Sequence, residues 1–254
     1  MDLHFSTYIF LCAFGFIGAW VDSIAGGGGI ITIPAYLAAG LPPQLTLGTN
    51  KLSASFSSFT SSFKYLCSKK TNLRLMAFLA PFTLIGSIVG VRTILSINNA
   101  LLNVLLSIGI LSIGLYSIFH PSLGSVDTSL KRPTKKSIWI GMLFSLLLGF
   151  YDGFFGPGTG SFLMFIFIKL FGFDYLKSSA NARFLNFISN ITSLITFILY
   201  GKVLFLIGIP VGVFMIAGSW LGSHMAIKNG NKIVKPIFVI VTLAVAVKLI
   251  IDLL

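Results

Sequence analysis

The stretch Asp22-Ser23-Ile24-Ala25-Gly26-Gly27-Gly28-Gly29 lies in the middle of a long apolar run, and Asp152-Gly153-Phe154-Phe155-Gly156-Pro157-Gly158-Thr159-Gly160 lies in a second one. Glycine and proline weaken or break helices, and a carboxylate is rare inside a membrane segment. In lipid, a broken backbone is tolerated only where protein buries it or a cavity solvates it. Two breaks at matching positions in two halves are typical of a transport site built from discontinuous helices.

The composition predicts a membrane protein. The chain has 254 residues, of which 56% are hydrophobic and 9% are charged, whereas a soluble globular chain carries about 25% charged residues. The apolar segments are continuous rather than alternating, which argues against a transmembrane β-barrel. We therefore predict an all-α, polytopic membrane protein with multiple spans.

The charge distribution favours lipid over nucleic acid as the partner. The net charge is +12, from 18 basic and 6 acidic residues. Most of the Lys and Arg residues lie in short loops between apolar segments, where they set the topology and meet anionic lipid. The chain contains no glutamate, and its aspartates are scattered. This pattern argues against a metal site rich in carboxylates.

The apolar segments follow an order that occurs twice. The first set comprises 5–25, 30–39, a more polar helix over 47–67, 75–95 and 100–119. The second comprises 138–155, 159–171, a polar-striped helix over 178–200, 203–227 and 237–254. The longest polar stretch separates the two sets. We therefore predict a first transmembrane repeat over 1–120, a cytoplasmic linker over 121–137 and a second transmembrane repeat over 138–254.

Two of these segments are short. At 1.5 Å per residue, 30–39 and 159–171 reach only about 15–20 Å, less than a bilayer core of about 30 Å. The length favours broken or re-entrant glycine-rich helices, although two full crossings in each half remain the alternative.

The internal repeat is visible in the order of acid, glycine break, glycine turn and buried cation. Apart from a gap of two residues, the spacing is the same in both halves. The matching pairs are Asp22 with Asp152, Gly26 with Gly156, Gly40 with Gly172, and Lys51 with Arg183. We infer a duplication.

The basic loops predict the orientation of the helices. The stretches 64–74, 131–136 and 228–235 are rich in Lys and Arg, which places them in the cytoplasm. The turns at 96–99 and 201–202 hold almost none and are expected outside. Equivalent helices then cross in opposite directions, so the two halves are expected to form an inverted repeat.

The glycine breaks are candidate anion sites. A helix that starts inside the protein presents free N–H groups and the positive end of its dipole, which bind an anion without a charged side chain. Thr159 or Thr32 offers a hydroxyl there. The alternative is close helix packing through small residues. The candidate residues are Gly26, Gly27, Gly28, Gly29, Gly156, Gly158 and Thr159.

Asp22 and Asp152 have two interpretations. Either carboxylate can carry a coupling proton or bind Na⁺, since ionisable groups in membrane segments are functional by default. Alternatively, each caps the helix that follows it. A carboxylate beside an anion site repels the anion unless it is protonated, which would couple proton and anion movement.

Lys51 and Arg183 each begin a polar stripe on equivalent helices. The second stripe continues through Asn186 and Asn190. In a membrane, such a face lines a water-filled path or forms an interhelical hydrogen-bond seam, and the cations either attract an anion or snorkel to the interface. We favour a substrate path that includes these four residues. In an inverted repeat, Lys51 and Arg183 are expected at opposite depths, one near each entrance.

The same residues resemble the paired motifs of a known family. The first motif is Gly18-x-x-x-Asp22-x-x-x-Gly26-Gly27-Gly28-Gly29 with Gly48-Thr49-Asn50-Lys51. The second is Gly149-Phe150-x-Asp152-Gly153-x-x-Gly156-Pro157-Gly158-Thr159-Gly160 with Asn181-x-Arg183-x-x-Asn186-x-x-Asn190. Together they resemble the motifs of the TauE/SafE-like sulfite/anion exporters, also called 4-toluene sulfonate uptake permeases. The resemblance implies a transporter of the cell inner membrane for small organic or sulfur-containing anions, such as sulfite, sulfoacetate or sulfonates. Gly27 corresponds to Pro157 and Gly29 to Thr159, so the two half-sites are not equivalent.

Transport is the favoured function class. The chain lacks a Walker A loop, so we expect a secondary transporter without a nucleotide cofactor, working by alternating access with a proton as one candidate coupling ion. An anion channel is the first alternative. An intramembrane enzyme is the second, but the sequence shows neither a catalytic nucleophile constellation nor metal-ligand spacing. We therefore predict no catalytic and no metal-binding residues.

Overall fold

The computed structural model describes residues 4–97 and 134–237. Within these ranges the chain is helical and contains no strand. The helices are α1 (Phe5–Ala25), α2 (Gly29–Ala38), α3 (Pro43–Cys67), α4 (Leu73–Leu95), α5 (Lys135–Phe154), α6 (Thr159–Phe171), α7 (Tyr175–Leu199) and α8 (Phe205–Asn229), followed by a helical stretch over 231–237. The predicted segment 100–119, most of the predicted linker and the last predicted segment lie outside the described residues.

Five of these helices are long and apolar enough to cross a membrane. They are α1, α4, α5, α7 and α8. The chain is therefore a multi-pass membrane protein, as its composition predicts. Helix α3 also has 25 residues, but its many serines make it less apolar, and most of these serines are buried against other helices.

The two short helices follow the glycine breaks. Helix α2 has 10 residues and α6 has 13, which gives lengths of about 15 and 20 Å. Helix α1 stops at Ala25 because Gly26 and Gly27 adopt φ angles of 81° and 93°, in the left-handed region that glycine enters without strain. Gly156 and Gly158, with φ angles of 97° and 80°, interrupt the chain between α5 and α6 in the same way.

The order long, short, long, long occurs twice along the described chain. Helix α1 packs mainly against α8, and α4 packs mainly against α5, so the first helix of each quartet contacts the last helix of the other. Helices α3 and α7 pack against each other at the centre. They run antiparallel, since Ser62 contacts Arg183 near one end of the pair and Lys51 contacts Asn190 further along.

The described parts of the basic stretches lie at one end of the bundle. The Nζ atom of Lys64 donates to the carbonyl of Trp220 at 2.9 Å, and the backbone N–H of Asn72 donates to Asn181 at the start of α7. Leu176, also at that start, donates to Asn231. Helix α5 runs parallel to α4, so its first residues, Lys135 and Lys136, lie at this end too.

Two local predictions differ from the structure. Helices α3 and α7 begin earlier than expected, because Pro43 occupies the first turn of α3 and the side chain of Asp174 accepts from Lys177 N at the start of α7. The prediction of a basic loop over 228–235 is wrong: α8 continues to Asn229 and 231–237 is helical. Lysine is a good helix former, and the chain turns at Gly230 alone, where φ is 58°.

The α4–α5 interface depends on glycine. A Cβ atom at Gly86 or Gly90 of α4 would collide with backbone atoms of α5, and one at Gly149 or Gly153 of α5 would collide with backbone atoms of α4. Small residues let helix backbones approach closely where lipid removes the hydrophobic drive between helices.

The substitution Gly90→Leu is expected to lower the stability of the bundle. Its side chain would meet the carbonyl of Phe150, and overpacking of this kind costs about 1–3 kcal/mol, more than the gain in helix propensity. The matched control is Val89→Leu, because Val89 is 48% exposed on the same helix. Thermal unfolding in detergent measures both variants, and equal midpoints for the two would contradict the packing argument.

Candidate functional site

The two glycine breaks contact each other at the centre of the bundle. A Cβ atom at Gly29 would lie 3.2 Å from Cα of Pro157, and one at Gly160 would lie 2.9 Å from Cα of Gly26. The backbones of the two breaks therefore touch with no side chain between them. The glycines therefore allow close helix packing, and a cavity lies at the same place, so packing and a binding site do not exclude each other here.

A cavity of about 30 Å³ lies beside this contact. A water molecule needs roughly 10–15 Å³ on this measure, so the space holds about two waters. Most predicted site residues line it: Asp22, Gly27, Gly29, Lys51, Asp152, Gly156, Gly158, Thr159, Asn186 and Asn190. The predicted residues Gly26, Gly28 and Arg183 lie behind its wall, whereas Asn50, Ala54 and Gly160 line it without having been predicted.

Two ion pairs cross between the halves at this cavity. The Nζ atom of Lys51 lies 2.7 Å from Oδ2 of Asp152, and Nη1 of Arg183 pairs with Oδ2 of Asp22. Each cation therefore meets the carboxylate of the other half. Both pairs are largely buried. Because an isolated ion in a low-dielectric interior is strongly disfavoured, each of these charged side chains needs its partner to be stable there.

The two carboxylates differ in their second contacts. Oδ1 of Asp22 accepts the backbone N–H of Gly28 at 2.9 Å, just before α2 begins. Oδ2 of Asp152 instead accepts from the hydroxyl of Ser189, which also bonds to the hydroxyl of Ser87 at 2.7 Å. Asp22 thus caps a helix start in addition to its ion pair, while Asp152 belongs to a side-chain network.

Two amides connect the ion pairs. Lys51 Nζ donates to Oδ1 of Asn190 at 3.0 Å, and Nδ2 of Asn190 donates to Oδ1 of Asn186 at 3.3 Å. The same Oδ1 accepts from Nη1 of Arg183 at 3.2 Å. A continuous chain of hydrogen bonds therefore links Asp152 to Asp22.

The expectation that Lys51 and Arg183 each lie near an entrance is wrong. Lys51 is 4% exposed and Arg183 is 0% exposed. Arg183 lies level with Ser62 on α3, roughly three helical turns from Lys51, so the two backbones do differ in depth. Both long side chains nevertheless extend inward, where the carboxylates and amides satisfy their charges.

The polar stripes form an interhelical seam. Asn190 donates to the hydroxyl of Ser58 at 3.3 Å, and the hydroxyl of Ser62 donates to the carbonyl of Arg183 at 2.8 Å. The sequence allowed two interpretations of this polar face, a water-filled path and an interhelical hydrogen-bond seam. Most of the face forms the seam, and of its residues only Lys51, Asn186 and Asn190 line the cavity.

Arg183 retains donors without acceptors. Its Nε and Nη2 atoms are buried and have no hydrogen-bond partner among the described residues, and Nη2 lies against Gly160 at the start of α6. A buried donor without a partner carries a desolvation cost that an anion or a water would remove. Nη2 therefore lies beside the start of α6, where the helix dipole also favours an anion.

The two threonine hydroxyls are engaged within the protein. Oγ1 of Thr159 donates to the carbonyl of Gly156 at 2.8 Å, and Oγ1 of Thr32 donates to Oδ1 of Asn50 at 2.7 Å. Neither hydroxyl proton is available to an anion in this conformation. Asn50 is not among the predicted site residues, because its place in the sequence does not show which of its two polar atoms is already bonded.

Comparison with known proteins gives a consistent picture. The family model described as Sulfite exporter TauE/SafE matches residues 11–249. The chain is 38% identical to a "Probable membrane transporter protein" of Haemophilus influenzae, over 99% of this chain and 98% of that protein. It is 40% identical to "Probable membrane transporter protein ORF9" of Sinorhizobium sp., over 99% and 95%. It is 37% identical to "Probable membrane transporter protein YfcA" of Escherichia coli, over 93% and 87%. No solved structure matches the chain.

Removing one member of the Lys51–Asp152 pair is expected to destabilise the protein more than neutralising both. Lys51→Met leaves the buried carboxylate of Asp152 without its cation, which costs about 3–5 kcal/mol. The double variant Lys51→Met/Asp152→Asn removes both charges and keeps an acceptor for Ser189, so it should recover part of that loss. Thermal unfolding in detergent measures the cycle.

The matched control for this cycle is Lys228→Met, which removes an exposed cation and should leave the unfolding midpoint nearly unchanged. A double variant that loses as much stability as the sum of its two single variants would contradict a direct interaction between the two side chains.

Proposed function

The chain belongs to the sulfite exporter TauE/SafE family, and we propose that it is a secondary transporter that moves a small organic or sulfur-containing anion across the cell inner membrane by alternating access. The relatives carry the name of probable membrane transporters, which favours transport over catalysis. The observation that carries the proposal is the pair of crossed ion pairs at a cavity between two interrupted helices.

In this proposal the anion competes with the carboxylates for the cations. Lys51 lines the cavity and is neutralised by Asp152 at 2.7 Å, so an entering anion must displace that carboxylate or find it protonated. The proposed substrate contacts are the cavity-lining part of the predicted set and the donors behind it: Gly26, Gly27, Gly28, Gly29, Lys51, Gly156, Gly158, Thr159, Arg183, Asn186 and Asn190.

The cavity volume supports a conformational cycle. A space for about two waters is smaller than a sulfonate with its organic group. Binding therefore requires the breaks or the ion pairs to move apart. In this proposal the substrate enters only when the buried charges rearrange. A carrier needs this coupling between binding and conformational change, and a permanently open pore lacks it.

The two halves are proposed to form an inverted repeat. The first comprises residues 1–120 and the second comprises residues 138–254, joined by a cytoplasmic linker over 121–137. The antiparallel course of α3 and α7 and the reciprocal packing of α1 with α8 and α5 with α4 support this arrangement. Rocking of one half against the other would expose the cavity to each side in turn.

The basic end of the bundle is proposed to face the cytoplasm. Exposed lysines and arginines concentrate at the end that contains Lys64, Lys135 and Lys228, which is the bias that positions helices in the inner membrane. The same surface meets the anionic lipid headgroups of that leaflet.

Purified protein in proteoliposomes is expected to catalyse saturable uptake of at least one small anion from a panel of sulfite, sulfate, sulfoacetate and an aryl sulfonate. Lys51→Gln should reduce that flux by about tenfold or more, because it removes a charge-assisted contact worth roughly 1.5–3 kcal/mol. Lys228→Gln, which changes an exposed cation, is the matched control. Saturation and counterflow distinguish a carrier from a channel, whose flux would rise linearly and without counterflow.

Folded wild-type protein that moves no panel member would refute the substrate class, and normal flux through Lys51→Gln would refute the site. Correct folding is checked for each variant by its elution as a single species in detergent.

Asp22 and Asp152 are proposed as the coupling carboxylates, and Asp152 as the one whose proton moves with the anion, because it neutralises the cavity-lining Lys51. Protonation of Asp152 would release Lys51 for the anion, so one proton would enter with each monoanion and leave the charge of the site unchanged. Asp152→Asn is expected to transport at a rate that no longer depends on the pH gradient, since its amide mimics the protonated carboxyl. Asp174→Asn, which changes a half-buried helix cap outside the cavity, is the control. A pH-driven flux that persists in Asp152→Asn would assign the coupling elsewhere.

A further inference from the structure

We propose that Asn50 is a specificity-determining residue of the site, and that Thr32 holds its amide so that only N–H groups face the transported anion. The inference rests on the proposed transport function and assigns to Asn50 the preference of that site for an oxyanion, which offers several acceptor oxygens on one centre, over a spherical halide.

The orientation of the amide follows from its contact with Thr32. Oγ1 of Thr32 lies 2.7 Å from Oδ1 of Asn50, a separation typical of an O–H···O bond and shorter than the usual N–H···O bond. The other acceptor near this hydroxyl, the carbonyl of Gly28, is more distant, at 3.3 Å. The oxygen of the amide is therefore occupied inside the protein, and its nitrogen is directed away from Thr32.

That nitrogen is available at the cavity. Asn50 is 6% exposed and lines the cavity, and within the described part of the chain its Nδ2 donates no hydrogen bond. An amide carries two N–H donors. Because the amide oxygen of Asn50 is already bonded to Thr32, its two N–H donors at the cavity wall are suited to a ligand that supplies acceptor oxygens.

Asn186 shows the same arrangement on the facing helix. Its Oδ1 accepts from Arg183 at 3.2 Å and from Asn190 at 3.3 Å, while its Nδ2 has no partner within residues 4–97 and 134–237. Asn186 also lines the cavity. The amides of Asn50 on α3 and Asn186 on α7 therefore both line the cavity with N–H donors, while their oxygens are bonded to other side chains.

The equivalent helix of the other half carries no amide at this position. In the register that matches Lys51 with Arg183, the position equivalent to Asn50 holds Ala182, which is fully buried on α7. The amide is therefore a feature of one half only. Lys51, the next residue on α3, attracts any anion as a point charge, so the directional donors of Asn50 are what separates an oxyanion from a halide of the same charge.

The experiment compares Asn50→Leu, Thr32→Val and Thr32→Ser in proteoliposomes, with sulfite and chloride as probes. Asn50→Leu removes both donors without adding charge, and Thr32→Val removes the hydroxyl that orients the amide. Ser53→Ala is the matched control, because Ser53 is buried on α3 but bonds to Gly208 and Tyr36 away from the cavity. The KM and maximal rate for sulfite, and the ratio of sulfite to chloride flux, are measured at a fixed membrane potential.

Asn50→Leu is expected to raise the KM for sulfite about tenfold and to lower the preference for sulfite over chloride by a similar factor, because hydrogen bonds to a charged group are lost. Thr32→Val should produce a smaller change of the same kind, with the maximal rate for sulfite retained. Thr32→Ser should restore the wild-type KM, which a purely structural role of the threonine methyl group would not allow.

The possible outcomes distinguish a failure of the transport function from a failure of the role proposed for Asn50. If wild type shows no saturable anion flux, both the transport function and this inference fail. If wild type transports sulfite and Asn50→Leu leaves its KM and its preference over chloride unchanged, the inference fails and the transport function stands. If Thr32→Val misfolds, Asn50→Leu alone decides. Equal losses in Thr32→Ser and Thr32→Val would overturn the orienting role of Thr32.

Discussion

Burial of charge is the constraint on which this structure depends. Four ionisable side chains lie in the middle of a lipid-embedded bundle, where an unpaired charge is strongly disfavoured. The chain meets this constraint by pairing Lys51 with Asp152 and Arg183 with Asp22, each across the two halves. The position of every helix that carries one of these residues is thereby tied to a helix of the other half, and the amides of Asn186 and Asn190 join the two pairs into one network.

The glycine breaks make this network geometrically possible. A side chain at Gly26 or Gly160 would collide with the backbone of the other break, and the carboxylates that pair across the halves lie just before these breaks. The breaks also supply a helix start, whose N–H groups and dipole favour anions. The same few glycines therefore serve packing and chemistry, which explains why the two interpretations of the sequence did not exclude each other.

The sequence predicted the elements of the site better than their connections. Gly, Pro and Asp inside apolar segments are costly, so the positions of the breaks and of Asp22 and Asp152 followed from local physical chemistry. Lys51 and Arg183 were expected near the entrances and instead extend inward to the carboxylates. The partners did not follow from local chemistry, because the pairing of Lys51 with Asp152 joins residues that are distant along the chain and depends on how the helices pack. Asn50 was missed for the same reason: its importance lies in which of its two polar atoms Thr32 occupies, and no spacing rule reports that.

The crossed pairing has a consequence for the order in which the protein is made. The first half leaves the ribosome with Asp22 and Lys51 in helices that enter the membrane before Arg183 and Asp152 exist. Neither residue can reach its final partner until α5 and α7 have been inserted. The two charges of the first half are therefore paired only when the matching helices of the second half dock, which ties correct docking of the halves to the disappearance of unpaired charge from the membrane interior.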